Sequence, residues 1–122
     1  MIAEPLISIV EDDTSLQNAL VRLLRSVGYN AKGFISAEEF VGADLLNDCS
    51  CVITDIQMSG MSGLDLTNLL SRHNPPVPVI VITAGVDQGV RDAAFANGAL
   101  CFLNKPVDTS VLLECIKTAL AF

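Results

Sequence analysis

The sequence predicts an α/β domain of the (βα)5 type, built on a doubly wound, parallel, five-stranded sheet. Short apolar runs alternate with amphipathic stretches from one end of the chain to the other. Three of those runs are nearly continuous in Ile, Val, Leu and Phe, which suits strands buried on both faces by flanking helices. Strict alternation of strand and helix implies right-handed crossovers. A length of 122 residues suits one such domain, and no linker, internal repeat or low-complexity tract divides it.

The strands are expected at Leu6–Val10, Asn30–Phe34, Cys51–Thr54, Val79–Thr83 and Leu100–Leu103. Leu16, Ala19, Leu20, Leu23, Leu24 and Val27 recur at helical spacing after the first strand, and Gly28 is placed to stop that helix. Ser36 followed by Glu39 reads as a capping box opening a second helix through about Leu46. Ser62, with Asp65 three residues on, opens a third that ends before Asn74-Pro75-Pro76. Gln88–Asn97 is the least regular helical pattern, with Gly89 near its start and mostly alanines for a buried face. Asp108 caps the last helix, where Val111, Leu112, Cys115, Ile116, Ala119 and Leu120 form one apolar face.

Composition excludes several functions. A net charge of −7, from seven basic and fourteen acidic residues, provides no basic surface for neutralising phosphates. Direct nucleic-acid binding is therefore not expected of this chain, and any such role would fall to another domain or chain. Met1–Pro5 carries an acid and a proline before a short apolar run, unlike a secretory leader. No run approaches the roughly 18 apolar residues of a membrane span. A cytoplasmic location is expected, with Cys49, Cys51, Cys101 and Cys115 as thiols. Cys49 and Cys51 form a Cys-x-Cys pair, but no second pair or nearby His completes a zinc site.

The polar residues that interrupt the apolar pattern fall at one edge. Glu11, Asp12 and Asp13 follow the first strand, Asp55 the third, Thr83 closes the fourth, and Lys105 lies just past the fifth. In open α/β sheets, ligands bind at the carboxyl ends of the strands. A sheet that makes the first, third, fourth and fifth strands neighbours, with the second at the edge, gathers all these side chains. Asp13 is expected simply to cap the first helix. Converging carboxylates repel one another unless a cation sits among them. Hard oxygen ligands without His or Cys favour Mg2+ or Mn2+. A carboxylate nucleophile, a metal, a lysine and a hydroxyl are the parts needed to transfer a phosphoryl group onto a carboxylate.

With these residues in view, the chain resembles, over essentially its whole length, the receiver domain of bacterial two-component response regulators. The resemblance is carried by Ile9-Val10-Glu11-Asp12-Asp13, by Val52-Ile53-Thr54-Asp55 with Met58, Met61 and Gly63, by Val81-Ile82-Thr83-Ala84, and by Lys105-Pro106. It implies the flavodoxin-like strand order 2-1-3-4-5. It implies that Asp55 is the phosphoacceptor. Asp12 and Asp55 would ligate Mg2+ with the main-chain carbonyl of Gln57, and Glu11 would act mostly through water. Thr83 and Lys105 would contact the phosphoryl group. Thr83 would move towards it on activation, and Phe102 holds the switch-aromatic position. The implied donor is a phosphohistidine on a sensor histidine kinase or phosphotransfer protein. The implied output is transcription regulation, through dimerisation or an output domain engaged by the face of the fourth helix, fifth strand and fifth helix. A receiver would not be an enzyme beyond its own phosphorylation and dephosphorylation.

Ser59 departs from the family pattern, which usually has proline after the first methionine of this loop. Without the fixed φ of proline the loop is expected to be less rigid, and metal affinity or phosphoryl lifetime to differ. Val107, where an aromatic is common, is a smaller departure. Two other readings compete with the phosphorylated switch. One is a receiver-shaped interaction module that takes no phosphoryl group. The other is an aspartyl-nucleophile phosphatase of the haloacid-dehalogenase type, which needs a second Asp where Gln57 stands.

Overall fold

The computed structural model describes residues 5–85 and 88–121. Positions 1–4, 86–87 and 122 lie outside the described residues. Five strands alternate with five helices among the described residues: β1 (Leu6–Val10), α1 (Thr14–Ser26), β2 (Asn30–Phe34), α2 (Ala37–Gly42), β3 (Cys49–Asp55), α3 (Gly63–Arg72), β4 (Val79–Thr83), α4 (Gln88–Ala96), β5 (Cys101–Asn104) and α5 (Thr109–Leu120). The strands form one sheet in the order β2-β1-β3-β4-β5, every neighbour parallel.

Strand alternation divides the core in two. Val10, Val52, Val79 and Val81 pack with Phe40, Leu66, Leu70 and Ala94 from α2, α3 and α4. Ile7, Ile9, Ile53, Ile80 and Ile82 pack with Leu20, Leu24, Leu112 and Ile116 from α1 and α5. Both faces of the central strands are thus buried, which is why their sequences run apolar without alternating. Each such Leu or Ile side chain contributes about 1.5–3 kcal/mol on burial.

The helix ends follow local chemistry. Ser36, Ser62 and Asp108 each accept the N–H three residues on, at 3.0, 3.1 and 3.2 Å. Gly28 follows the α1 C-cap at φ +99°, the left-handed conformation that glycine adopts without penalty.

Two expectations need correction. The second helix stops at Gly42, not Leu46, because Asp44 turns the chain at φ +57°. Leu45 and Leu46 still pack on the core, but from a turn rather than from a helix. The third strand begins at Cys49, not Cys51. Leu6 pairs with Cys49 while Ile7 pairs with Cys51, leaving Ser50 as an extra residue. That bulge sends Cys49 to the α2–α3–α4 side and Cys51 to the other. No described helix is long and apolar enough to cross a membrane.

Candidate functional site

Three consecutive acids leave β1, and packing gives each a different position. Val10 pairs with Thr54 across the sheet, so Glu11 emerges beside Asp55. Glu11 is fully buried. Its N–H donates to the Phe34 carbonyl (2.9 Å), and its own carbonyl accepts from Gln17 Nε2 (3.0 Å). Gln17 reaches across β2 at Gly33, where a Cβ would stand 2.3 Å from Gln17 Oε1. Asp12 is exposed and makes no hydrogen bond among the described residues. Asp13 caps α1, its Oδ1 accepting from the N–H groups of Ser15 and Leu16 at 3.0 and 3.2 Å, as expected.

Asp55 ends β3 almost fully buried. Its Oδ1 accepts from the N–H groups of Ile56 (2.6 Å) and Gln57 (3.3 Å), while Oδ2 accepts from Lys105 Nζ (2.8 Å). The chain then loops back so closely that a Cβ on Gly63 would stand 1.9 Å from the Asp55 carbonyl oxygen. Only glycine fits there, and its N–H donates to the Ile56 carbonyl at 3.0 Å. Gln57, Met58, Ser59 and Ser62 line a shallow cleft with Asp12 and Ile56. The Gln57 carbonyl accepts no hydrogen bond among the described residues.

Lys105 is anchored by its N–H donating to the Thr83 carbonyl at 2.8 Å. Its ammonium lies 2.8 Å from both Glu11 Oε1 and Asp55 Oδ2. Burial works to lower the Lys105 pKa, but hydrogen bonds and charge from Asp55 and Glu11 outweigh it, and the net shift is upward. Burial pushes the Glu11 carboxyl up, with Asp55 adding to the rise, while Lys105 and the Asp13 N–H oppose it.

Thr83 is buried at the end of β4, opposite Asn104, and its hydroxyl makes no hydrogen bond among the described residues. Phe102 pairs with Val81, so Phe102 and Thr83 share the sheet face that α4 covers. The half-buried Phe102 ring lies 6.5 Å from that of Phe95 in α4. Glu11, Asp12, Asp55 and Lys105 are therefore brought together, while Phe102 stands apart, against α4.

The donor set fits a divalent cation. Glu11, Asp12 and Asp55 each offer an oxygen within 4.8 Å of the others. Three carboxylates against one ammonium leave two negative charges uncompensated, and all the donors are hard oxygens. Among the described residues no cluster of thiols offers an alternative metal centre.

Sequence reasoning missed two supports. Gln17 was not singled out, because a polar helix residue beside a glycine in the next strand carries no recognisable pattern. Glu38, whose Oε2 accepts from the Met61 N–H at 2.8 Å, was missed because acids in a helix's first turn are common.

Comparison with known proteins bears on the family of the chain. The family profile of the response regulator receiver domain matches residues 7–117. The chain is 36% identical over 114 residues to nodulation protein W of Bradyrhizobium diazoefficiens, covering 93% of this chain and 50% of that one. It is 38% identical over 117 residues to the response regulator protein TmoT of Ectopseudomonas mendocina, covering 96% and 53%. The chain thus spans about half the length of these curated relatives. A response regulator receiver protein from Burkholderia phymatum superposes with a TM-score of 0.83 at 38% identity, covering 98% and 97% of the two chains.

Proposed function

Since the chain belongs to the response regulator receiver domains of two-component systems, we propose that it is a phosphorylation-operated switch with Asp55 as the acceptor. The observation that carries the proposal is the Lys105 ammonium shared at 2.8 Å between Asp55 and the buried Glu11, with Asp12 beside them. The donor is a phosphohistidine on a sensor histidine kinase or phosphotransfer protein. An Asp55 carboxylate oxygen attacks phosphorus, the new O–P bond forms, and the P–N bond breaks with its electron pair left on the imidazole.

The chain's own groups prepare that step. The N–H groups of Ile56 and Gln57 hold Oδ1 and fix the orientation of the carboxylate. Lys105 exchanges its contact with Asp55 for one with a phosphoryl oxygen, because forming the acyl phosphate removes the carboxylate charge and the phosphoryl group brings up to two negative charges. Asp12, Asp55, Glu11 and the Gln57 carbonyl would hold Mg2+ or Mn2+, which neutralises charge on phosphoryl oxygens when bound. Of these, Glu11 is already engaged with Lys105 and the Asp13 N–H, which suits an indirect role.

The Thr83 hydroxyl, which makes no hydrogen bond among the described residues, is free to turn to the phosphoryl group, and Phe102 shares its face beside α4. Occupation of the site would shift an existing equilibrium and so alter the α4–β5–α5 surface, which engages a second copy or an output domain in transcription regulation. Turnover is confined to the protein's own phosphorylation and dephosphorylation, in the cytoplasm. Incubation with Mg2+ and a small-molecule phosphodonor tests this. One phosphoryl mass is expected, lost on chelation and in Asp55→Asn. Labelling of Asp55→Asn at the wild-type level, or steady turnover of a phosphate ester, would overturn it.

A further inference from the structure

The loop after Asp55 is held from outside by a side chain that belongs to another element. Ser59 and Gly60 are exposed and neither is fixed in φ by a ring. Gly60 sits at φ +79°, and a Cβ there would stand 2.1 Å from Glu38 Oε2. The same oxygen accepts the Met61 N–H at 2.8 Å. Glu38 lies in the first turn of a helix that is itself anchored, by the Ser36 cap and by fully buried Ala37 and Phe40. A negatively charged acceptor on a fixed support thus bonds the loop at Met61, four residues beyond Gln57.

We propose that Glu38 is a positioning residue for the metal-holding loop, keeping the Gln57–Ser59 backbone beside Asp12 by clamping the Met61 N–H. This rests on reading Asp12, Asp55 and Gln57 as the metal-holding set. The charge-assisted bond is stronger than one to a neutral acceptor. It supplies the restriction that Ser59 and Gly60 lack. The competing role for Glu38 is helix stabilisation alone, as an acid near the positive end of α2.

Three forms of the protein separate these roles: wild type, Glu38→Ala and Glu38→Gln. Alanine removes the acceptor, and its high helix propensity at this exposed position preserves the fold. Glutamine removes the charge but keeps an oxygen that accepts the Met61 N–H. Met61 amide exchange, read by NMR without metal, is expected to quicken about tenfold in Glu38→Ala, the equivalent of one lost hydrogen bond. The Mg2+ dissociation constant, from the amide shifts of residues 12 and 55–62, is expected to rise about tenfold, as for loss of an outer support to a ligand. Glu38→Gln is expected within about twofold to threefold of wild type in both.

Unchanged Met61 exchange in Glu38→Ala overturns the clamp. Faster exchange with unchanged Mg2+ affinity overturns the positioning role, as does Glu38→Gln behaving like Glu38→Ala. A wild type that binds no Mg2+ sinks the functional reading and the positioning role with it. A wild type that binds, beside a Glu38→Ala variant that binds equally, sinks the positioning role alone.

Discussion

Lys105 Nζ lies 2.8 Å from Asp55 Oδ2 on the sheet's carboxyl edge, and the same ammonium is the counter-charge of the fully buried Glu11. Removing it leaves the buried Glu11 without its counter-charge. Lys105→Met is expected to destabilise the metal-free protein at pH 7 by about 1–3 kcal/mol, below the full cost for a broken buried pair because Lys105 is partly solvated. Burial already raises the Glu11 carboxyl above its ordinary value of 4.5. A group so raised stabilises the fold while protonated, and that contribution is lost as pH rises through its folded value. Urea unfolding of Lys105→Met should therefore lose more stability than wild type between pH 4.5 and 7. Parallel profiles for the two proteins would contradict the pairing.

Gly63 bears directly on Asp55. With the Cβ of an alanine 1.9 Å from the Asp55 carbonyl oxygen, backbone must move rather than a side chain. Gly63→Ala is expected to cost about 2 kcal/mol or more and to slow phosphorylation by displacing the Ile56 and Gln57 N–H groups. Denaturant titration and initial labelling rates check both effects.

Cys49, Cys51 and Cys101 are expected to be unreactive in the folded protein. Burial pushes Cys49 and Cys51 up, and burial with the neighbouring Cys115 takes Cys101 to about 12. Thiols raised on folding stabilise below their ordinary value of 9.0, and that contribution is lost as pH rises through the folded values. Alkylation of these three at pH 8 should be slow until denaturant is added, and stability should fall as pH rises above 9.0. Rapid labelling of Cys51 in native buffer would contradict this.

Asp44 holds φ +57° at the end of α2 with a Cβ that disfavours it. Asp44→Gly relieves a left-handed penalty of about 1–2 kcal/mol against an entropic cost of glycine of about 0.5–1 kcal/mol, so a small net stabilisation is expected, measured as a rise of the thermal midpoint. A fall would mean that the Asp44 side chain contributes more than its backbone strain costs.

What could be read from the sequence was local or periodic. Ser36, Ser62, Asp108 and Gly28 announce helix ends through contacts within four residues. The doubly buried strands follow from their unbroken apolar runs. The α2 terminus and the bulge at Ser50 were not legible, because both are decided by how the following segment packs on the sheet. At the site, strand ends locate Glu11, Asp12, Asp55 and Lys105, since the alternating topology brings those ends together. Asp13 as the cap of α1 was legible too, whereas the division of the other two acids after β1, one buried and one free, needed the packing of Lys105. Glu38 and Gln17 act from other elements through backbone groups, and no spacing rule marks such contacts. Ser59, expected to loosen its loop, sits two residues before a clamp that the sequence did not reveal.

The most direct test is to locate the phosphoryl group chemically. Wild-type protein is treated with Mg2+ and a small-molecule phosphodonor, reduced with borohydride, which converts an acyl phosphate to an alcohol, and mapped by peptide mass spectrometry. Reduction at position 55 alone, absent when metal is chelated, is the expected result. A phosphoryl group on any other side chain, or none under conditions where Mg2+ binds, would contradict Asp55 as the acceptor.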